Sequence, residues 1–322
     1  LKSAFAWLTR HKKGCLLGAV VFQLIVMVCA ERLIRRDAAV VFKGAFDLLK
    51  QSSITNYLSR NPNNIPLFLY EKFFYVLFGS SGLWVMQALN ILYVNLGAVL
   101  LYKLSQKHFN QKTADLVYLF YVSLICYSPY FYSMYTDIPP LPLIALQLWW
   151  ALDLLKENQA GTSWKKMFGL GILSGVTMLI RPTTIIVMIA FWAVLFFRGN
   201  WKVFGKIATV TVLTTGFVFA GLNTAVNHQR VVPILKQEGL AKGPLLFINL
   251  GLPDMGHNQE DMKEGLLAYI DEDKRSDYNN GLFKKENVIK EIKRRLKEYG
   301  PFGLIGHIYY KQSLTVAEGT LG

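Results

Sequence analysis

Asp37, Asp137 and Arg181 are the residues of this chain best placed to do chemistry, because each sits just past the end of an apolar segment. An aspartate costs roughly 2.5–3.5 kcal/mol at the centre of a membrane helix. Ionisable groups held at or near membrane depth are therefore functional candidates. A carboxylate there can take a proton from a hydroxyl. A guanidinium can hold a phosphate through paired, charge-assisted hydrogen bonds. The combination suits a lipid phosphate whose tail stays in the bilayer while its head rises to the arginine. This requires the three residues to open onto one face.

Each residue also has a plain structural reading. Asp37 precedes a run, 38–49, with apolar residues at helical spacing, and would cap that helix. Asp137 precedes Ile138-Pro139-Pro140, and an aspartate before a proline-initiated helix is a good cap. Arg181 before Pro182 could simply reach up to the headgroups. Asn61-Pro62-Asn63-Asn64 is a turn on any reading. His228 and His257 read as surface residues, and Tyr127, Tyr130, Tyr132, Trp149 and Trp150 as interface belt and packing.

The elements that position these residues are membrane helices. Of the 322 residues, 52% are hydrophobic and only 17% charged, against about 25% in soluble domains. Mean hydropathy is +0.29. The net charge of +14 does not indicate nucleic acid, because the lysines and arginines sit in short loops between apolar runs. Cys15, Cys29 and Cys126 lie inside apolar runs without metal-ligand spacing, which argues against disulfides or zinc. A leading Leu and an apolar run that stops at Gly322 read as a fragment, and no cleavable signal peptide is evident.

Spans are expected near 15–30, 83–104, 114–132, 138–155, 167–180, 183–197 and 207–226, in an all-α polytopic bundle. The stretch 65–78 is too short to cross, at about 21 Å against a core of about 30 Å, and reads as re-entrant or juxtamembrane. With that choice, Lys103, Lys107 and Lys112, then Lys156, Lys165 and Lys166, then Arg198, Lys202 and Lys206 all fall on the cytoplasmic side. Asp37, Asp137, Arg181, Asn61–Asn64, His228, Asp254 and His257 fall outside. The basic residues of the first outer loop (Arg32, Arg35, Arg36, Lys43, Lys50 and Arg60) run against this pattern, which constrains long outer segments less. The expected organisation is a transmembrane module over 1–226 with its first outer loop at 31–82, an extracytoplasmic segment over 227–300, and the start of another membrane helix over 301–322.

The order of short motifs resembles the GT-C membrane glycosyltransferases, the superfamily of protein mannosyltransferases and aminoarabinose transferases, and in particular its Gram-positive multispan members. The matching pieces are Arg36-Asp37-Ala38, Tyr57 with Asn61-Pro62-Asn63-Asn64, Tyr135-Thr136-Asp137, Arg181-Pro182-Thr183, and Arg295, Tyr299-Gly300, Lys311 and Glu318-Gly319-Thr320. The resemblance implies a GT-C-like fold and transfer of a sugar from a polyprenyl-phosphate donor to an extracytoplasmic glycan, lipid or protein at the cell membrane. It implies Asp37 as general base and Asp137 as a second acid. Arg181 would hold the donor phosphate, with Tyr57, Asn63, Asn64 and Tyr135 lining the substrate site. Many relatives carry paired acids in the first loop, whereas Ala38-Ala39 follow Asp37 here. A lone carboxylate is a poor Mg²⁺ or Mn²⁺ site, so any such ion would have to use Asp37 and Asp137 together.

Two other classes compete with an enzyme. A transporter or lipid flippase would show inverted repeats and polar residues deep in several spans. No repeat is visible, and Asn90, Asn95 and Gln147 are the few deep polar residues. A non-catalytic scaffold would lack an enclosed cavity near Asp37.

Overall fold

The computed structural model describes residues 7–30, 34, 36–132, 134–156, 163–237, 239–252 and 285–318. Over these the chain is all-α, with twelve helices and no strand. They are α1 Lys12–Cys29, α2 Arg36–Ala45, α3 Gln51–Arg60, α4 Ile65–Phe78, α5 Gly82–His108, α6 Gln111–Tyr121, α7 Leu141–Lys156, α8 Trp164–Ile180, α9 Ile185–Phe197, α10 Trp201–Asn227, α11 Pro244–Leu250 and α12 Lys285–Glu318. Three described runs are long and apolar enough to cross a membrane: Lys12–Cys29, Pro62–His108 and Trp201–Asn227.

The chain divides into two compact units, Leu1–Ile54 with Asn64–Val232, and Thr55–Asn63 with Pro233–Gly322. Residues 227–232 group with the first unit, and Thr55–Asn63 of the first loop with the second. Local hydrogen bonds explain both groupings. The Gln229 side chain closes a turn onto Val231 and Val232. Ser59 Oγ accepts from Leu235 N at 2.8 Å, and Arg60 O accepts from Lys242 N at 2.8 Å.

In the first unit, helix pairings set a clear direction. Lys12, at the start of α1, donates to Tyr102 and Asp115 at 2.9 and 2.6 Å. Lys107 at the end of α5 binds Asp153 near the end of α7 at 2.6 Å, and Lys156 donates to His108 O at 3.0 Å. These contacts gather one basic end. Helices α6 and α10 start with asparagine caps, Asn110 accepting from Thr113 N and Asn200 from Val203 N.

Helix α4 turns at Gly79–Ser81, where Gly79 adopts φ +57°, and folds back along α5. The contact is close: a Cβ on Gly82 would lie 2.7 Å from Phe74 O. At 14 residues α4 is about 21 Å long, so its start lies beside the middle of α5. The helix expected over 38–49 ends earlier, at Ala45, because Asp47 turns into φ +57°. The span expected over 114–132 also changes: α6 widens into a π turn at Val122–Cys126 and gives way to a 3-10 turn at Pro129–Tyr132.

Polar side chains inside the bundle bond between elements. Asn95 donates to Gln23 at 2.6 Å, Gln23 to Cys126 O at 2.7 Å, Asn90 to Phe131 O at 3.0 Å and Gln147 to Ser174 at 3.1 Å. Such bonds join helices where water is absent.

Helices α8 and α10 run parallel and approach through a Gly171-x-x-x-Gly175 stripe. A Cβ at Gly171 would lie 2.6 Å from Thr214 Cβ, and one at Gly175 2.8 Å from Val218 Cβ. Thr215 Oγ1 donates to Gly171 O at 3.2 Å across the seam. Small residues allow this close backbone approach in membrane helices. Gly175→Leu should therefore destabilise the first unit by about 1–3 kcal/mol or more. A lower thermal unfolding midpoint in detergent would register it; an unchanged midpoint would mean the seam is not close-packed.

In the second unit, α12 leaves helical geometry at Gly300 (φ 60°, ψ 177°), immediately before Pro301. Glu291 on its first half binds Arg294 and Arg295, each at 2.6 Å. The Arg294 hydrogen bond, reinforced by Arg295, holds the Glu291 carboxyl down at about 2. A depressed folded-state value stabilises above the ordinary glutamate range, and the benefit is lost as pH falls through the folded value. Acid should therefore weaken α12 between about pH 4.5 and 2, and Glu291→Gln should flatten that dependence in an acid-unfolding series.

Candidate functional site

Three short helices end at the same level and create a recess. Helix α7 has 16 residues, α8 has 17 and α9 has 13, against 27 in α5 and α10. Leu141, the first residue of α7, packs against Gly97, so α5 runs on about 22 Å past the start of α7, whereas α8, in register with α10 through Gly171–Thr214 and Gly175–Val218, ends only about 6 Å before it. Asp137 lies in the turn before α7, Arg181 ends α8 and Thr184 precedes α9. The recess thus collects the ends of these helices away from the basic end.

Within it, Arg181 Nη2 pairs with Asp137 Oδ1 at 2.7 Å, both side chains being partly exposed. Arg181 Nη1 donates to Thr136 Oγ1 at 3.1 Å. The Tyr130 hydroxyl donates to the other oxygen of Asp137 at 3.1 Å. The Arg181 guanidinium carbon stands 5.7 Å from the Tyr135 ring centre, a cation–π arrangement. Arg181 O accepts from Thr184 Oγ1 at 2.8 Å, which fixes the corner between α8 and α9.

Asp37 belongs to the same neighbourhood. Burial raises the Tyr135 phenol above its ordinary value, the Asp37 carboxylate adds to the rise, the Arg181 guanidinium opposes it, and Asp137 adds a smaller push upward. One phenol therefore feels both carboxylates and the guanidinium, and it remains protonated at neutral pH. Asp37 is exposed and receives no hydrogen bond or ion pair from a described residue. The residue before it, Arg36, adopts φ 55°, an uncommon conformation for a non-glycine residue.

Both capping expectations are corrected. Asp37 sits inside the first turn of α2, which begins at Arg36, so it is not the cap. It can still favour the helix dipole. Asp137 lies four residues ahead of α7, because the Pro139-Pro140 pair delays the helix. Its carboxylate is turned to Arg181 instead. Arg181 is likewise committed to Asp137 and Thr136, not to a distant headgroup layer.

A cavity of about 370 Å³ opens beside this group, lined by residues of α4, α5 and α7, the turn before α7 and the end of α8. Pro66, Leu67, Tyr70, Tyr93 and Leu96 form one wall, and Pro139, Pro142, Leu143, Leu146 and Ile180 the other. Thr136, only 7% exposed, lines it together with the hydroxyl-bearing Tyr70 and Tyr93 and carries the Arg181 contact. Tyr93 lies about 17 Å along the α5 axis from Gly82, so the cavity is recessed.

Other expected site residues are placed differently. Asn64 stands buried at the start of α4 in the first unit. Tyr57 and Asn63 belong to the second unit, where Tyr57 O accepts from Asn61 N and Nδ2, each at 2.9 Å. His228 bonds back to Thr224 O at the end of α10. Glu31, Arg32, Arg35, Asp254, His257, Gly319, Thr320 and the Glu318 side chain lie outside the described residues. Arg295 is buried against Glu291, and Tyr299, His307 and Lys311 bond to the carbonyls of Gly251 and Leu252.

Sequence reading set Tyr130 among the interface-belt aromatics, took Glu71 only as an interruption of the 65–78 run, and did not single out Tyr70 or Tyr93. The places of the three tyrosines could be found only from the fold, because aromatics are common throughout the chain. Glu71 interrupts an apolar helix and is fully buried, with neither carboxylate oxygen bonded to a described residue. As for a divalent metal, the described residues contain no group of three or more His, Cys, Asp or Glu. Asp137 has one oxygen on Arg181 and the other on Tyr130, so the Asp37 and Asp137 pair fits Mg²⁺ or Mn²⁺ poorly.

Residues 5–322 match the model of a family described as conserved hypothetical integral membrane protein. The chain belongs to that family. The match extends over both units and agrees with the three membrane-length apolar runs, so the protein is an integral membrane protein. No curated protein and no solved structure gives a match.

Proposed function

We propose that the protein transfers a sugar from a polyprenyl-phosphate donor to an acceptor on the extracytoplasmic side of the cell membrane. The observation that carries this is the position of Arg181, held by Thr136 at the rim of an apolar cavity. A prenyl chain would occupy the cavity and its phosphate would reach the guanidinium. The GT-C-like order of motifs supplies the reaction class. The basic end gathered by Lys12, Lys107 and Lys156 would face the cytoplasm by the positive-inside rule, which directs the recess outward.

In the reaction, an acceptor hydroxyl attacks the anomeric carbon while the bond from that carbon to the phosphate oxygen breaks. The hydroxyl proton passes to Asp37, which is exposed and within electrostatic range of Tyr135. The leaving prenyl phosphate gains negative charge, and Arg181 stabilises it. Tyr135, protonated at neutral pH, can donate a hydrogen bond to a sugar or phosphate oxygen.

The deep polar residues Asn90, Asn95 and Gln147 are engaged in bonds between elements, which gives a transport path little support. The test is donor turnover. Protein in liposomes, given a panel of labelled prenyl-phosphoryl hexoses and pentoses with a cell-surface glycan extract, should release label from at least one lipid donor. Label that crosses the bilayer without leaving its lipid would identify a flippase. No consumption, together with no binding of a prenyl phosphate, would refute the proposal.

A further inference from the structure

We infer that Asp137 is a resident counter-ion that the donor phosphate must displace from Arg181, so that phosphate binding and release of this carboxylate are coupled. The inference rests on the phosphate-binding reading of Arg181 and adds a role for Asp137 within it.

Arg181 has two working edges. One edge, Nη1, is on Thr136 at the cavity rim, and the other, Nη2, is on Asp137 at 2.7 Å. A phosphate emerging from the cavity meets the Thr136 edge first. To take a forked, two-point grip it must also claim the edge held by Asp137. The two anions would otherwise lie against one another on a single cation, and like charges at that distance repel strongly in a partly buried site. Asp137 has somewhere to go, because its second oxygen already accepts from the Tyr130 hydroxyl at 3.1 Å. That bond can hold the carboxylate once Arg181 turns to the phosphate. Tyr130 lies on the 3-10 turn Pro129–Tyr132, which follows the end of the π turn.

The coupling is reciprocal by linkage. Without donor, Asp137 neutralises Arg181 and keeps the guanidinium positioned. With donor, the second carboxylate of the site is set free beside the sugar. It is available only when there is something to transfer.

The experiment compares binding of farnesyl phosphate, farnesol and inorganic phosphate to the full chain in nanodiscs. Asp137→Asn removes the competitor and should bind farnesyl phosphate about five-fold tighter or more, with farnesol binding unchanged. Arg181→Gln should bind it more weakly than wild type. Equal or weaker binding by Asp137→Asn, with wild type binding intact, would overturn displacement while leaving the phosphate site standing. Arg181→Gln binding as well as wild type would instead overturn the phosphate site itself. Tighter binding of farnesol and farnesyl phosphate alike would place the effect in the cavity and also count against displacement. An independent readout uses the wild type alone, in case the variant does not fold. Labelling of Asp137 by excess membrane-permeant carbodiimide, read by mass spectrometry, should rise several-fold with saturating farnesyl phosphate and stay flat with farnesol. Protection of Asp137 by farnesyl phosphate would contradict the inference.

Discussion

Asp37→Asn should lower sugar transfer by about 100- to 10,000-fold, the range a positioned general base contributes. The amide keeps the size of the carboxylate but cannot accept the proton. The fold should survive, because Asp37 is exposed in the first turn of α2 and takes no bond from a described residue. What is lost structurally is a favourable carboxylate at a helix start, worth about 0.3–1 kcal/mol. The measurement pairs donor consumption in liposomes with a thermal unfolding midpoint. Activity within tenfold of wild type, at an unchanged midpoint, would remove Asp37 from the base role.

Arg181→Gln should weaken binding of a prenyl phosphate by about 10- to 100-fold, the equivalent of one charge-assisted hydrogen bond contributing ~1.5–3 kcal/mol. The same change leaves Asp137 beside an amide. Both side chains are partly solvated, so the stability cost should lie between that of an exposed and a buried pair, about 1–3 kcal/mol. Arg181→Lys tests geometry separately from charge. An ammonium can meet the phosphate or Asp137, but it lacks the planar fork that reaches Thr136 and Asp137 at once. It should restore part of the stability and little of the binding. If Arg181→Lys matched wild type in phosphate affinity, the two-edged grip would be wrong, and Arg181 would act as a simple point charge.

The sequence determined the membrane class and most of the bundle by itself. Apolar runs of sufficient length leave the backbone no alternative to helices, since every amide must be satisfied within its own segment. Interruptions such as Gly300-Pro301 and the Asn110 and Asn200 caps are equally local, and they appear where their chemistry places them. Asp37, Asp137 and Arg181 stand out for the same reason: a charge beside hydrocarbon is costly wherever it occurs.

Their relations were decided by the tertiary structure. Asp137 and Arg181 are 2.7 Å apart only because the turn before α7 and the end of α8 are delivered to the same place beside α5. No single-segment rule could turn these two residues away from capping and snorkelling and toward one another. The cavity is similarly non-local, since α4 must fold back on α5 before Tyr70 and Tyr93 can face Pro139 and Leu143. Asn63, adjacent to Asn64 in the sequence, and Tyr57, seven residues before it, group with the other unit, to which Ser59 and Arg60 between them are bonded through Leu235 and Lys242. Residue type reports what a side chain costs in lipid, whereas the neighbour that offsets that cost depends on how lengths, turns and close-packed seams bring distant segments together.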